Sequence, residues 1–128
     1  WRDYTDILTN SFWSFHRENS GIHNASYHGN FIPQVPRQLY KRYTKKGDWI
    51  LDPFMGSGTS LIEAQRMGRN SIGIELQTDV AKEAYERMML EKNPEYLTMN
   101  KRGNNRYSAG ISNYIKYLDF LYIFGRKK

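Results

Sequence analysis

Residues 51–60, LDPFMGSGTS, decide how the rest of the chain is read. A short apolar run ends in Asp52-Pro53, and two of the next five residues, Gly56 and Gly58, are glycines. One glycine serves a turn. Two glycines flanking Ser57, just ahead of a helical pattern, point to backbone held close to a ligand.

Outward from this loop the elements alternate. DWILD (48–52) is an apolar run suited to a buried strand. SLIEAQRMG places Leu61, Ile62, Ala64 and Met67 at helical spacing, and Gly68 ends that helix. NSIGIEL (70–76) reads as a second strand, and TDVAKEAYERMMLEKN (78–93) as a helix capped by Thr78 or Asp79. Upstream, Pro36 suits the first turn of a helix that runs through Leu39 and Tyr43 and stops by Gly47. Residues 1–30 are aromatic and polar without a clean period, with a short helix expected near 4–10 and loop after it. Strands alternating with helices imply a parallel sheet in a doubly wound α/β arrangement. Beyond residue 93 the sequence turns polar, then closes in YIKYLDFLYIFGRKK, a β-rich aromatic run with a basic end.

The chain has 128 residues, enough for one domain with one modest core. Apolar residues make up 39%, which excludes global disorder. The absence of cysteine removes disulfides, thiolate catalysis and cysteine-based zinc sites, and suits a reducing cytoplasm. No apolar run approaches a membrane-spanning length, and WRDYTDILTN lacks the basic-then-apolar order of a signal peptide. These features lead to the expectation of a cytoplasmic protein with no membrane partner. A formal net charge of +6 is compatible with a polyanionic partner without being a motif for one.

Spacing separates three readings of the glycine loop. A phosphate-binding P-loop needs Lys and then Ser or Thr after its last glycine, but Thr59 and Ser60 follow Gly58. A dinucleotide fingerprint needs a third small residue where this chain has Leu61. An S-adenosylmethionine (AdoMet) site fits better. There the first strand ends in an acidic residue, the glycine backbone passes beneath the amino acid and ribose, and the following helix directs its positive end at the cofactor carboxylate. Glu75 ends SIGIE, nineteen positions after Gly56, the spacing of one strand–helix–strand step. A carboxylate offers two acceptor oxygens to the two donors of a ribose diol. Against this stands the plain alternative that Asp52 only caps the next helix and Glu75 is a solvated carboxylate.

FIPQVPRQLYKRYTKKGDWILDPFMGSGTSLIEAQRMGRNSIGIEL resembles the amino-methylating DNA methyltransferases, which modify adenine N6 or cytosine N4. DPFMGSGT is close to that family's cofactor motif, and FIPQVP to the segment preceding it when the cofactor half comes first. The resemblance is specific over residues 21–90, and YLDFLYIFGRKK resembles, more loosely, a late strand. It implies an incomplete Rossmann-like doubly wound sheet of the AdoMet-dependent methyltransferase type, and a single methyltransferase domain over residues 1–128. It also implies AdoMet as cofactor and double-stranded DNA as partner, and it is compatible with a homodimer or a partner subunit. By resemblance Asp52, Pro53 and Phe54 line the methionine side, and Gly56, Ser57, Gly58 and Thr59 form the loop. Glu75 holds the ribose, Leu76 packs near the adenine, and Phe31, Ile32 and Pro33 close the pocket.

Such enzymes resemble one another in a second motif, Asp, Asn or Ser followed by Pro-Pro and an aromatic, which orients the target amine. No such motif is recognisable here. Asn93-Pro94-Glu95-Tyr96 is the nearest approach and reads as a helix stop. The catalytic residues are therefore unassigned, and the expectation is a missing middle segment near 91–105, with late strands over 93–128. A catalytically silent DNA- or cofactor-binding subunit, or an RNA methyltransferase, fits the same fold and charge.

KRYTKK and NKRGNNR offer phosphate contacts, with Lys41, Lys45, Lys101, Arg102 and Arg106 as candidates. Arg37, Lys41 and Lys45 share a helical spacing that would make one basic face. His16, His23 and His28 have no metal-ligand spacing, so no metal is expected. GIHNASYHGNF (21–31) matches the family's lead-in and is expected to fold near the cofactor or the target base, without a catalytic role. Ser57 sits in no nucleophile-elbow pattern.

Overall fold

The computed structural model describes residues 2–16, 22–23, 27–95 and 98. Among the described residues five elements follow in order: α1 (Gln34–Tyr43), β1 (Trp49–Asp52), α2 (Thr59–Arg66), β2 (Asn70–Gly73) and α3 (Thr78–Glu91). The two strands pair in parallel, Trp49 opposite Asn70 through Asp52 opposite Gly73. A parallel pair cannot be joined by a tight turn, so the chain must cross over, and α2 is that crossover. The ladder extends past the strands through Ile74 N–H to Asp52 O (2.9 Å) and Met55 N–H to Ile74 O (3.0 Å). The glycine loop is thereby fixed to the segment leading to Glu75.

Alternation along the strands sets two faces. Ile50, Asp52, Ser71 and Gly73 are half-buried on the α2 side, and Trp49, Leu51 and Ile72 are exposed on the other. Ile62 and Ala64 are fully buried, with Ile22 and Ala84 almost so. Ile22 and Ile62 form the centre of the core, with Met88 and Leu90 packed against them. Gly73 has no room for a side chain: a Cβ there would meet Met55 Sδ and come within 2.6 Å of Leu61 Cδ2.

Pro33 is the N-cap of α1, so Pro36 falls in its first turn, where a missing N–H costs nothing. The far end of α1 is closed by Arg69. Its buried guanidinium donates to Thr44 O (2.9 Å), Tyr40 O (3.3 Å) and Met67 O (2.6 Å), a cation on helix-end carbonyls. Tyr40 OH donates to Ser60 O (3.0 Å) and ties α1 to α2.

Three local expectations are corrected. Residues 4–10 are not helical. This segment runs along α1, where the Gln38 amide accepts from Leu8 N–H (2.8 Å) and donates to Asp6 O (2.9 Å). Tertiary hydrogen bonds thus replace the local helical ones. The N-cap of α3 is Gln77 rather than Thr78 or Asp79, with Asp79 in the first turn facing the positive helix end. Strand β2 ends at Gly73, which leaves Glu75 in the turn beyond it.

The Asn93-Pro94 stop has a local cause. Asn93 N–H bonds Leu90 O (2.9 Å), and its side-chain oxygen accepts Glu95 N–H (2.9 Å). The expected missing segment and late strands lie almost entirely outside the described residues.

Substituting Gly73→Ala is expected to destabilise the fold by about 1–3 kcal/mol through overpacking against Met55 and Leu61. Chemical denaturation of the two proteins measures this directly.

Candidate cofactor site

The site lies where β1 and β2 end. Asp52 closes β1, and its carboxylate accepts Phe54 N–H (3.0 Å) and the Ser60 hydroxyl. It therefore holds both ends of the glycine loop. Gly56 (φ +51°) and Gly58 (φ +82°) take left-handed backbone, which side-chain-bearing residues adopt only with strain. Gly58 is the N-cap of α2, and Ile62 N–H returns to Gly58 O (2.9 Å). The first-turn amides of α2 thus face the loop, making its positive end available to an anion.

Glu75 bridges the two strand-end turns. One carboxylate oxygen accepts Gly56 N–H (3.1 Å) and the other accepts Gln77 N–H (2.9 Å). An ionised carboxylate has about four acceptor directions, so the two backbone bonds leave capacity for a diol. Among the described residues the buried Ser57 hydroxyl has no hydrogen-bond partner, an orphaned polar atom within the loop itself. The Thr59 hydroxyl donates to Asn30 Oδ1 (2.7 Å), which joins the loop to the segment before α1.

The remaining candidates divide. Among the described residues Phe54 and Leu76 are the most exposed large apolar side chains (88% and 96%), and Phe31 is also exposed. Phe54 and Leu76 lie just after Asp52 and Glu75, and Phe31 lies just before α1. Ile32 and Pro33 instead form the start of α1, with Val35 N–H bonded to Ile32 O (3.1 Å) and Pro33 buried. An open apolar hollow of about 240 Å³ lies between α1 and β1, lined by Phe31, Val35, Leu39, Leu51 and Asp52 among others.

The expected basic face on α1 is broken up. Arg37 pairs with Glu63, and Lys41 pairs with Asp6 beside the Tyr4 ring, so neither cation projects openly. Lys45 is exposed beyond the helix, its N–H bonded to Asp48 (3.0 Å). Lys101, Arg102 and Arg106 lie outside the described residues. Among the described residues no acidic or histidine cluster could hold a metal ion, and no helix is long and apolar enough to cross a membrane.

Glu63 escaped the sequence reading altogether. In SLIEAQR it looks like the polar side of a helix, yet its side chain is fully buried. His23 Nε2 lies 2.7 Å from Oε1, Arg66 Nη1 donates to Oε1 (2.8 Å), and Arg37 Nε donates to Oε2. Arg66 also engages the Glu91 carboxylate (2.9 and 3.2 Å). Arg87 carries a parallel link, donating to Ile22 O (3.0 Å). Burial pushes the Glu63 carboxyl up, but hydrogen bonds from His23 and Arg37 and the charges of Arg66 and Arg37 outweigh it. The net result is a fall from 4.5 to about 2. The faint sequence signal is the Glu63/Arg66 pair at i,i+3, which many exposed helices share.

A carboxyl lowered on folding stabilises the native state above its unfolded pKa and loses that stability as pH falls through the folded value. Stability is therefore expected to rise with pH between about 2 and 4.5. Glu63→Gln should flatten that slope in acid titrations followed by circular dichroism, while destabilising the neutral protein by about 3–5 kcal/mol through loss of the buried charge that Arg37 and Arg66 face.

The DNA methylase family model of the N6/N4 class matches residues 2–86. Type II methyltransferase M.MjaII of Methanocaldococcus jannaschii is 37% identical over 106 residues, covering 79% of this chain and 20% of that protein. Type II methyltransferase M2.DpnII of Streptococcus pneumoniae is 43% identical over 67 residues, covering 49% of this chain and 25% of that one. The chain thus spans only a fifth to a quarter of the length of these two relatives. Among solved structures, the M1.HpyAVI–SAM complex superposes with a TM-score of 0.51 at 24% identity, over 64% of this chain and 43% of that one. That likeness shows the fold alone, an incomplete Rossmann-like doubly wound sheet. With its strand–loop–helix–strand unit and a family match spanning about two thirds of its length, the chain belongs to the N6/N4 DNA methylase family.

Proposed function

We propose that this chain carries the cofactor half of a site-specific DNA methyltransferase. The enzyme moves a methyl group from AdoMet to the exocyclic amine of adenine (N6) or cytosine (N4) in double-stranded DNA. The observation that carries the proposal is the Glu75 carboxylate bonded to Gly56 N–H at 3.1 Å, which sets a ribose acceptor against a glycine loop opening a helix. The solved relative is a complex with SAM, and the curated relatives are Type II methyltransferases, names that support the cofactor and the restriction–modification setting.

Under this proposal residues 21–90 form the cofactor-binding half. Glu75 takes the ribose hydroxyls with its remaining acceptor capacity. Gly56 and Gly58 hold the loop in its left-handed turns, and the Ser57 hydroxyl, without a partner among the described residues, gains one. The α2 N-terminus faces the cofactor carboxylate, while Phe31, Phe54 and Leu76 supply apolar walls. Asp52, Pro53 and Thr59 hold the loop in shape from its two ends and from beneath. Bound AdoMet supplies a methyl group made electrophilic by the sulfonium charge.

The target amine is a weak nucleophile because its lone pair is delocalised into the base, so its orientation is the other requirement. The Pro-Pro-aromatic motif that performs this in the family is not recognisable in the chain. Lys45, Lys101, Arg102 and Arg106 stay in the proposal as phosphate contacts. Lys41 would first have to leave Asp6.

Asp52→Ala and Glu75→Ala should each weaken AdoMet binding by at least about 10-fold, a loss of ~1.4 kcal/mol, in equilibrium dialysis. Unchanged affinity in both would remove the site assignment. Methyl incorporation into duplex DNA but not RNA separates the proposal from an RNA enzyme, and cofactor-independent DNA binding without transfer would mark a silent subunit.

A further inference from the structure

The segment GIHNASYHGNF has an anchored beginning and an end that reaches the site. Ile22 is buried in the core, its carbonyl held by Arg87, and His23 is held by Glu63. A few residues on, Tyr27 O accepts Asn30 N–H (3.3 Å), and Asn30 in turn accepts the Thr59 hydroxyl. This turn delivers the half-buried Tyr27 ring onto Gly56. A Cβ built on Gly56 would lie 2.9 Å from Tyr27 Cε1, 3.3 Å from Cζ and 3.4 Å from the phenol oxygen. Gly56 is therefore required on two counts, its positive φ and the hydroxyl-side edge of the Tyr27 ring packed against it.

Chemistry specifies what this ring would meet. Taking the site as proposed above, on which this inference rests, the ribose lies at Glu75 and the amino acid carboxylate at the α2 N-terminus. The sulfur links those two parts of AdoMet, so it falls along the backbone between them, at Gly56 and Ser57. Its charge is a sulfonium, and an aromatic face attracts such a cation. Cation–ring contacts among the described residues involve Lys41 and Arg42 with Tyr4, Trp13 and Tyr43, and none is made at Tyr27.

We infer that Tyr27 is a specificity-determining residue of the cofactor site, its ring recognising the sulfonium and favouring AdoMet over the neutral thioether S-adenosylhomocysteine.

The test compares Kd values of both compounds for the full chain and for Tyr27→Leu and Tyr27→Phe. Leucine keeps an apolar contact at Gly56 but has no ring face. Tyr27→Leu is expected to raise the Kd for AdoMet by about 3- to 10-fold and to leave that for S-adenosylhomocysteine within about 2-fold, whereas Tyr27→Phe should bind both like the parent chain. Equal weakening of both compounds, or no change, overturns the inference and leaves the cofactor site standing. If the parent chain binds neither compound, the cofactor site falls and this inference with it. A readout that does not depend on the folding of the leucine variant is the Tyr27 ring resonance of the parent chain, assigned by its loss in Tyr27→Phe. It should move further with AdoMet than with S-adenosylhomocysteine, and equal movement counts against the inference.

Discussion

A carboxylate buried without water must be met by donors and positive charge, and Glu63 is met by three side chains from separate parts of the chain. His23 comes from the leader, Arg37 from α1 and Arg66 from the next turn of α2, which continues to Glu91 on α3. Replacing such a cluster with apolar residues often costs little, so its value is not simply stability. Its demand is geometric. Glu63 ties His23 and α1 to α2, and in the same arrangement Tyr27 lies against Gly56 and Asn30 accepts the Thr59 hydroxyl. The buried charge thus acts one step removed from the glycine loop, by locating the chain that covers it.

The two carboxylates at the strand ends act on the loop from the other side. Asp52 and Glu75 each accept backbone N–H groups that would otherwise lack partners at a strand end and a tight turn. The helix-capping role weighed against function in the sequence is not what Asp52 performs: Gly58 is the N-cap of α2, with no side-chain cap bond, and the Asp52 bond goes to the Ser60 hydroxyl. That bond does not compete with cofactor binding, because a carboxylate oxygen accepts more than one hydrogen bond. A loop shaped before its ligand arrives loses less entropy on binding.

The opposite sheet face presents Trp49, Leu51, Ile72 and Ile74 to solvent (68%, 64%, 51% and 54% exposed). Parallel sheets are ordinarily covered on both faces. The apolar character of these four residues matches a strand pair from the interior of a larger sheet, in keeping with the short span that this chain shares with its relatives.

Element types and order were legible in the sequence because each signal is local. Apolar runs of four or five residues, paired glycines and a Gly68 stop act within a few residues of themselves, and the strand–loop–helix–strand unit with Asp52 and Glu75 at its turns follows from them. Local signals misled where distant partners set the outcome. Residues 4–10 gave up a helix for hydrogen bonds to Gln38, and Arg37 and Lys41 left a basic face for Glu63 and Asp6. Neither Glu63 nor Tyr27 could be singled out from spacing, since Arg37 and His23 lie 26 and 40 residues from Glu63, Gly56 is similarly distant from Tyr27, and charge or aromaticity alone does not say what meets it. The sequence by itself determined the glycine loop and its carboxylates. The tertiary structure alone decided what holds that loop and what stands over it, because burial and contact are properties of the packed chain.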